Sequence, residues 1–127
     1  MSSRMIFIAL NVGDLERSVS FYRDAFGVDF HSDVNEPASD PWYGGEHCAY
    51  SWTDGAFLHF ALFPARLPER PVSRDVQLGL SVDDIEAGHA RATAAGAEVV
   101  HGPRSEPWGS TSRYRDPDGN LVSITQR

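Results

Sequence analysis

Residues 6–15 read IFIALNVGDL and residues 76–85 read VQLGLSVDDI, and these two stretches decide the fold. Laid over one another at an offset of 70 residues, they match Ile8 with Leu78, Leu10 with Leu80, Val12 with Val82, Asp14 with Asp84 and Leu15 with Ile85, and Glu16 with Glu86 follows. The chain therefore contains an internal repeat. In both copies apolar residues alternate with others up to Val12 and Val82, the period of a strand with one buried face. The period then changes. Leu15, Val19, Tyr22 and Phe26 follow helical spacing, with Asp14 placed to cap the start and Gly27 just past the end. Asp83-Asp84 opens a second helix that runs through Ile85, His89 and Ala92 to Gly96.

Outward from these anchors, Val28 to His31 reads as a short strand and Ser32 to Gly45 as a polar loop. His47 to Thr53 and Ala56 to Phe63 read as strands joined at Asp54-Gly55, a dipeptide suited to a two-residue hairpin. Prolines 64, 68 and 71 mark a linker. In the second copy a strand from Ala97 to His101, a Gly/Pro loop, a strand ending at Arg115, the turn Asp116-Pro117-Asp118-Gly119 and a strand from Leu121 to Thr125 complete the unit. Aligning the two Asp-Gly turns sets Phe57 against Leu121 and His59 against Ser123. Each half is a βαβββ module, so the fold class is α+β: module one spans about 4–63, the linker 64–74 and module two about 75–127 of a single domain.

A chain of 127 residues with 41% hydrophobic residues is large enough for a core and lacks the signature of disorder. Its formal charge of −7 repels a phosphate backbone or an anionic bilayer, so nucleic acid and membrane are excluded as partners. All 11 basic residues are Arg, which rules out Schiff-base and P-loop lysine chemistry. Cys48 is the single cysteine, and residues 1–10 lack the form of a signal peptide, so a reducing, cytoplasmic location is expected.

Asn11-Val12-Gly13-Asp14-Leu15 with Ser18, Phe21 and Tyr22, then Ser81-Val82-Asp83-Asp84-Ile85, then Asp116-Pro117-Asp118-Gly119-Asn120-Leu121 together resemble the glyoxalase, bleomycin-resistance and extradiol-dioxygenase proteins, the vicinal oxygen chelate superfamily. The resemblance implies two tandem modules whose mixed sheets curl around a small-molecule cavity, in a homodimer. In metal-using members four ligands come from the first and last strands of the modules. By similarity these positions are Phe7, His59, Gln77 and Ser123 here.

Phe7 has no donor atom and Ser123 is a poor ligand for Zn²⁺, Ni²⁺ or Fe²⁺, so no metal or other cofactor is expected; a divalent metal is the alternative. An aromatic, mostly neutral cavity remains. Its candidate ligand-binding residues are Phe7, Trp42, Trp52, Phe57, His59, Gln77, Trp108 and Ser123, with His59 also the candidate general base. Arg113 and Arg115 can hold a substrate carboxylate, although pairing with Asp116 or Asp118 is the more ordinary outcome.

Three readings stay open. The first is a metal-free protein that sequesters an aromatic or cationic drug or metabolite, as bleomycin-resistance members do. The second is a lyase, isomerase or dioxygenase-like enzyme that uses His59 as base or recruits a metal through His47 or Glu46. The third is an interaction module with a vestigial cavity.

Overall fold

A computed structural model describes residues 2–127. The element order is β1 (Phe7–Val12), α1 (Leu15–Phe26), β2 (His31–Asn35), β3 (Gly45–Trp52), β4 (Leu58–Pro64), β5 (Gln77–Ser81), α2 (Ile85–Ala94), β6 (Glu98–Glu106), β7 (Gly109–Arg115) and β8 (Leu121–Gln126). Two four-stranded sheets result, ordered β1-β4-β3-β2 and β5-β8-β7-β6. Each is mixed in the same way, with the first strand parallel to the last and the other neighbours antiparallel. This is the duplicated α+β architecture expected from the repeat.

The caps form as the sequence dictates. Asp14 accepts from the Arg17 amide at 3.1 Å, Asp84 accepts from the amides of Glu86 and Ala87, and Gly27 takes φ 71° where α1 stops. Two strands differ from expectation. The second strand lies at His31–Asn35, beginning at the last residue of the expected strand Val28–His31 and running on into the stretch read as loop, because its side chains are mostly exposed and give no apolar alternation to read. β6 continues through Gly102 and Pro103, with irregular register on both sides of His101, a bulged edge strand rather than a strand and a loop.

The chain forms two compact units, residues 1–19 with 29–72 and residues 20–28 with 73–127. In the first, Leu10, Val12, Phe60 and Leu62 are buried. The segment read as a linker is structured there. Arg66 and Arg70 exchange backbone hydrogen bonds at 2.8 and 2.7 Å, and both guanidinium groups donate to the Gly44 carbonyl. Gly44 must be glycine, since a Cβ would come within 2.5 Å of the Pro37 carbonyl oxygen. In the second unit Ala25, Ile85, Ala92, Ala97, Tyr114 and Ile124 form the core, with Phe21 and Phe26 packed against it.

The Asp116–Asn120 turn is the second unit's polar knot. Asp116 accepts from the Tyr22 hydroxyl at 2.8 Å, from the amides of Asp118 and Asn120 at 2.9 Å and from the Asn120 side chain at 3.1 Å. Asn120 in turn accepts from the Val76 amide and donates to the Ser73 carbonyl. Burial, then the negative charge of Asp116, pushes the Tyr22 hydroxyl far above its ordinary value of 10.0, so it remains a donor. Asp116, in the turn motif Asp116-Pro117-Asp118-Gly119, thus has a structural role.

Candidate functional site

In the first unit β1, β4 and β3 bring Phe7, His59 and Ser51 into one row. The His59 ring stacks with Phe7 at 5.7 Å and 19° and with Phe57 at 6.5 Å and 9°, and its Nδ1 lies 2.7 Å from the Ser51 hydroxyl. Phe7 and Phe57 remain 49% and 46% exposed. His59 is therefore oriented by two stacked rings and at one nitrogen.

Trp52, expected among the ligand-binding residues with His59, does not share this face, and neither do Cys48 and Tyr50 of the same strand. The β3–β4 register pairs Cys48, Tyr50 and Trp52 with Leu62, Phe60 and Leu58, and Trp52 stacks on the buried Phe60 at 6.3 Å. Strand alternation sends neighbours to opposite faces, so the same register that orients His59 removes Trp52. Trp42 is 64% exposed in a turn where Asp40 accepts from the Trp42 and Tyr43 amides.

Cavities open in the second unit. One, of about 220 Å³, is lined by Gln77, Leu78, Gly79, Arg113, Leu121 and Ser123. Another, of about 340 Å³, is lined by Gly79, Leu80, Ser81, Trp108, Thr125 and Arg127. They share Gly79, which has no side chain to divide them. The floor is polar and neutral: Gln77, Ser81, Ser123 and Thr125. Trp108 is 53% exposed, yet its indole Nε1 donates to the Thr111 hydroxyl at 3.1 Å, and Thr111 lies 3.0 Å from the Thr125 hydroxyl. A large ring is held in place beside open space.

Gln77, Trp108 and Ser123 thus line this cleft, whereas Phe7, Phe57 and His59 form the ring stack of the first unit. The sequence alignment of His59 with Ser123 also shifts. Phe7 lies beside His59, but Gln77 lies beside Leu121, and Ser123 stands one pleat further along, beside Gly79. Anchoring on the Asp-Gly turns missed this because the two turns differ in structure: Gly55 precedes its strand by three residues and Gly119 by two.

The four residues that the resemblance gives as metal-ligand positions do not suit a divalent ion. Phe7 offers carbon, His59 Nδ1 is engaged by Ser51, Gln77 is a neutral amide, and the Ser123 hydroxyl donates to the Leu78 carbonyl at 3.3 Å. No anionic donor is among them. The recruits Glu46 and His47 are adjacent on β3 and point to opposite faces, Glu46 exposed and His47 buried against Phe63 at 4.7 Å. Among the described residues no three His, Cys, Asp or Glu side chains gather as a metal-holding group. Arg113, expected more ordinarily to pair with Asp116 or Asp118, instead lines the smaller cavity, and its guanidinium Nη1 meets His101 Nε2 at 2.9 Å. The missing signal was the alternation of β7, which puts residues 111 and 113 on the face of Ser123 and Thr125.

Among the described residues no helix is long and apolar enough to cross a membrane. No curated protein sequence matches the chain. Among solved structures, it is similar to TnmS3, an antibiotic binding protein from Streptomyces sp. CB03234, at 28% identity and a TM-score of 0.73 over 98% of this chain and 96% of that one. It is also similar to a glyoxalase/bleomycin resistance protein from the same organism at 27% identity, with a TM-score of 0.68 over 97% and 100% of the chains. TioX from Micromonospora sp. ML1 matches at 25% identity and a TM-score of 0.67, over 98% of both chains. The family model described as glyoxalase/bleomycin resistance protein/dioxygenase superfamily matches residues 4–124, and with the duplicated sheets and their caps in place the chain belongs to that superfamily.

Proposed function

We propose that this protein binds an aromatic small molecule in the cleft of its second unit, without a metal, and sequesters a drug or metabolite rather than transforming it. The observation that carries the reading is Trp108, an indole pinned by Thr111 beside a cavity of about 340 Å³. An exposed ring fixed before the ligand arrives contributes stacking area at little entropic cost. The polar floor, Gln77, Ser81, Ser123 and Thr125, supplies directional hydrogen bonds at the ligand's edge. The similar antibiotic binding protein, 28% identical along nearly its whole length, supports a small-molecule ligand. Of the two ligand chemistries expected from the sequence, aromatic or cationic, the lining favours the aromatic: no Asp or Glu lines either cavity, and Arg113 and Arg127 do. In this reading the protein acts in the cytoplasm as a homodimer.

Calorimetric and fluorescence titration against a panel of aromatic antibiotics tests it. Saturable binding that Trp108→Ala weakens by about tenfold is expected, since base- or ring-stacking contacts are worth ~1–2 kcal/mol. No saturable ligand in the panel, or binding indifferent to Trp108, overturns the assignment.

A second reading has one specific observation behind it, the hydrogen bond of 2.7 Å that orients His59 on Ser51. His59 is then a general base in a lyase or isomerase. Turnover that is lost in His59→Ala and unaffected by chelators would establish it.

A further inference from the structure

Arg113 stands apart from the other arginines that make contacts. Arg23 and Arg104 pair with the carboxylates of Asp24 and Glu106, and Arg66, Arg70, Arg74, Arg91 and Arg115 donate to backbone carbonyls. Arg113 instead donates to an imidazole nitrogen, His101 Nε2, at 2.9 Å. An acceptor at Nε2 requires its lone pair, which places the His101 proton on Nδ1, where the Gly102 carbonyl accepts it at 2.8 Å. The imidazole is neutral in this arrangement. It fixes the guanidinium without cancelling its charge, and among the described residues Arg113 makes no ion pair.

The register explains where that charge points. Gly79, Ser123, Arg113 and His101 are successive partners across β5, β8, β7 and β6, so they form one row on one face of the sheet. Arg113, Gly79 and Ser123 line the cavity of about 220 Å³ with Gln77. The volume is below the roughly 300–1,000 Å³ of a drug-sized site, so it suits one end of a ligand whose body continues past Gly79 toward Trp108. A fixed, unneutralised guanidinium with its fork of donors favours a carboxylate or phenolate over a neutral or cationic group. The Ser123 hydroxyl proton is committed to the Leu78 carbonyl, so Arg113 is the donor that decides the sign of charge accepted.

We infer that the cavity beside Arg113 is an anion-recognising subsite, with His101 as its positioning residue, and that the cleft takes an aromatic ligand bearing a carboxylate or phenolate. The inference rests on the reading of the cleft as a ligand site and adds the charge class of the ligand. The local sign is opposite to the protein's formal charge of −7, so it acts through contact and not through long-range attraction.

Three matched probes test it: naphthalene-2-carboxylate, naphthalene-2-carboxamide and 2-(aminomethyl)naphthalene, titrated calorimetrically at pH 8. The carboxylate is expected to bind about tenfold or more tighter than the amide, and the ammonium weakest. Arg113→Met should bring the carboxylate to the amide's affinity. His101→Ala should lower the carboxylate-to-amide ratio severalfold, and His101→Gln, whose carboxamide oxygen can accept from Arg113, should restore it; a role in folding alone would not move that ratio. Should Arg113→Met fail to fold, the unmodified protein still decides the matter through the carboxylate-to-amide affinity ratio, which an anion subsite raises to about ten or more. Amide or ammonium binding as tight as the carboxylate's, with Trp108→Ala still weakening all three, overturns the anion subsite and leaves the cleft reading intact. Absence of binding by all three probes overturns both.

Discussion

The middle rows of the two sheets run Ala9, Ala61, Ala49, His31 in the first unit and Gly79, Ser123, Arg113, His101 in the second. Three alanines have as their counterparts a glycine, a serine and an arginine, and each row ends in histidine. The opposite faces are conserved in kind, since Ile8, Leu10 and Val12 correspond to Leu78, Leu80 and Val82. Duplication kept the face that holds each sheet in the core and released the other to diverge. The first unit's open face became rings stacked on His59, and the second's became a polar cleft with a cation and a pinned indole. A face that packs is constrained by volume and burial. A face lining open space is constrained by whatever it binds.

The comparison extends to the two Asp-Gly turns, and breaking them should give the largest contrast. Asp116→Ala strands the Tyr22 hydroxyl, two backbone amides and the Asn120 side chain in a buried setting. A loss of about 3–5 kcal/mol is expected, a fall in thermal midpoint on the order of 10–20 °C. Asp54 is exposed, and Asp54→Ala should change stability by less than ~0.5 kcal/mol in the same melts. Comparable losses at the two turns would mean that the knot is no anchor.

Alkaline unfolding should also belong to the second unit. The hydroxyls of Tyr22 and Tyr114 are both raised, chiefly by burial, so in the folded state they keep their protons above 10.0 while the unfolded chain releases them. A raised folded value contributes stability that is whole below the ordinary tyrosine value and is lost as pH climbs above it. Denaturant midpoints should therefore fall from pH 10 upward, by up to ~1.4 kcal/mol per pH unit for each such tyrosine. Tyr22→Phe should flatten that slope; an unchanged slope would discount the role of Tyr22.

The next contrast is between the two aromatic patches. Trp108→Ala should cost about 1–2 kcal/mol of ligand affinity, whereas Phe57→Ala should leave it within ~0.5 kcal/mol. The reverse ranking would move the site to the first unit. A smaller loss than at Asp116 is expected at Ser51→Ala, which removes one hydrogen bond from His59 in a half-buried setting, about 1 kcal/mol in a chemical melt. A turnover defect there, in place of a stability change, would favour the enzyme reading.

Much of this molecule was legible in residues 6–15 and 76–85. Alternation, caps and the offset of 70 are local properties, and they define strand, helix and duplication without reference to distant contacts. Gln77, Ser123 and Trp108 were legible as cleft residues for the same reason: their own strands, or the turn beside them, announce the face. Trp52 was misplaced and Arg113 undervalued because a face belongs to a register between strands, and a slip of one residue reverses it. The irregular register around His101 has no signature in the apolar pattern, yet it brings that imidazole to within 2.9 Å of Arg113. The sequence by itself determined which residues must be buried, because burial follows the period of a single element. The tertiary structure alone decided which polar residues meet in the open cleft, because that depends on how strands far apart in the chain are set against one another.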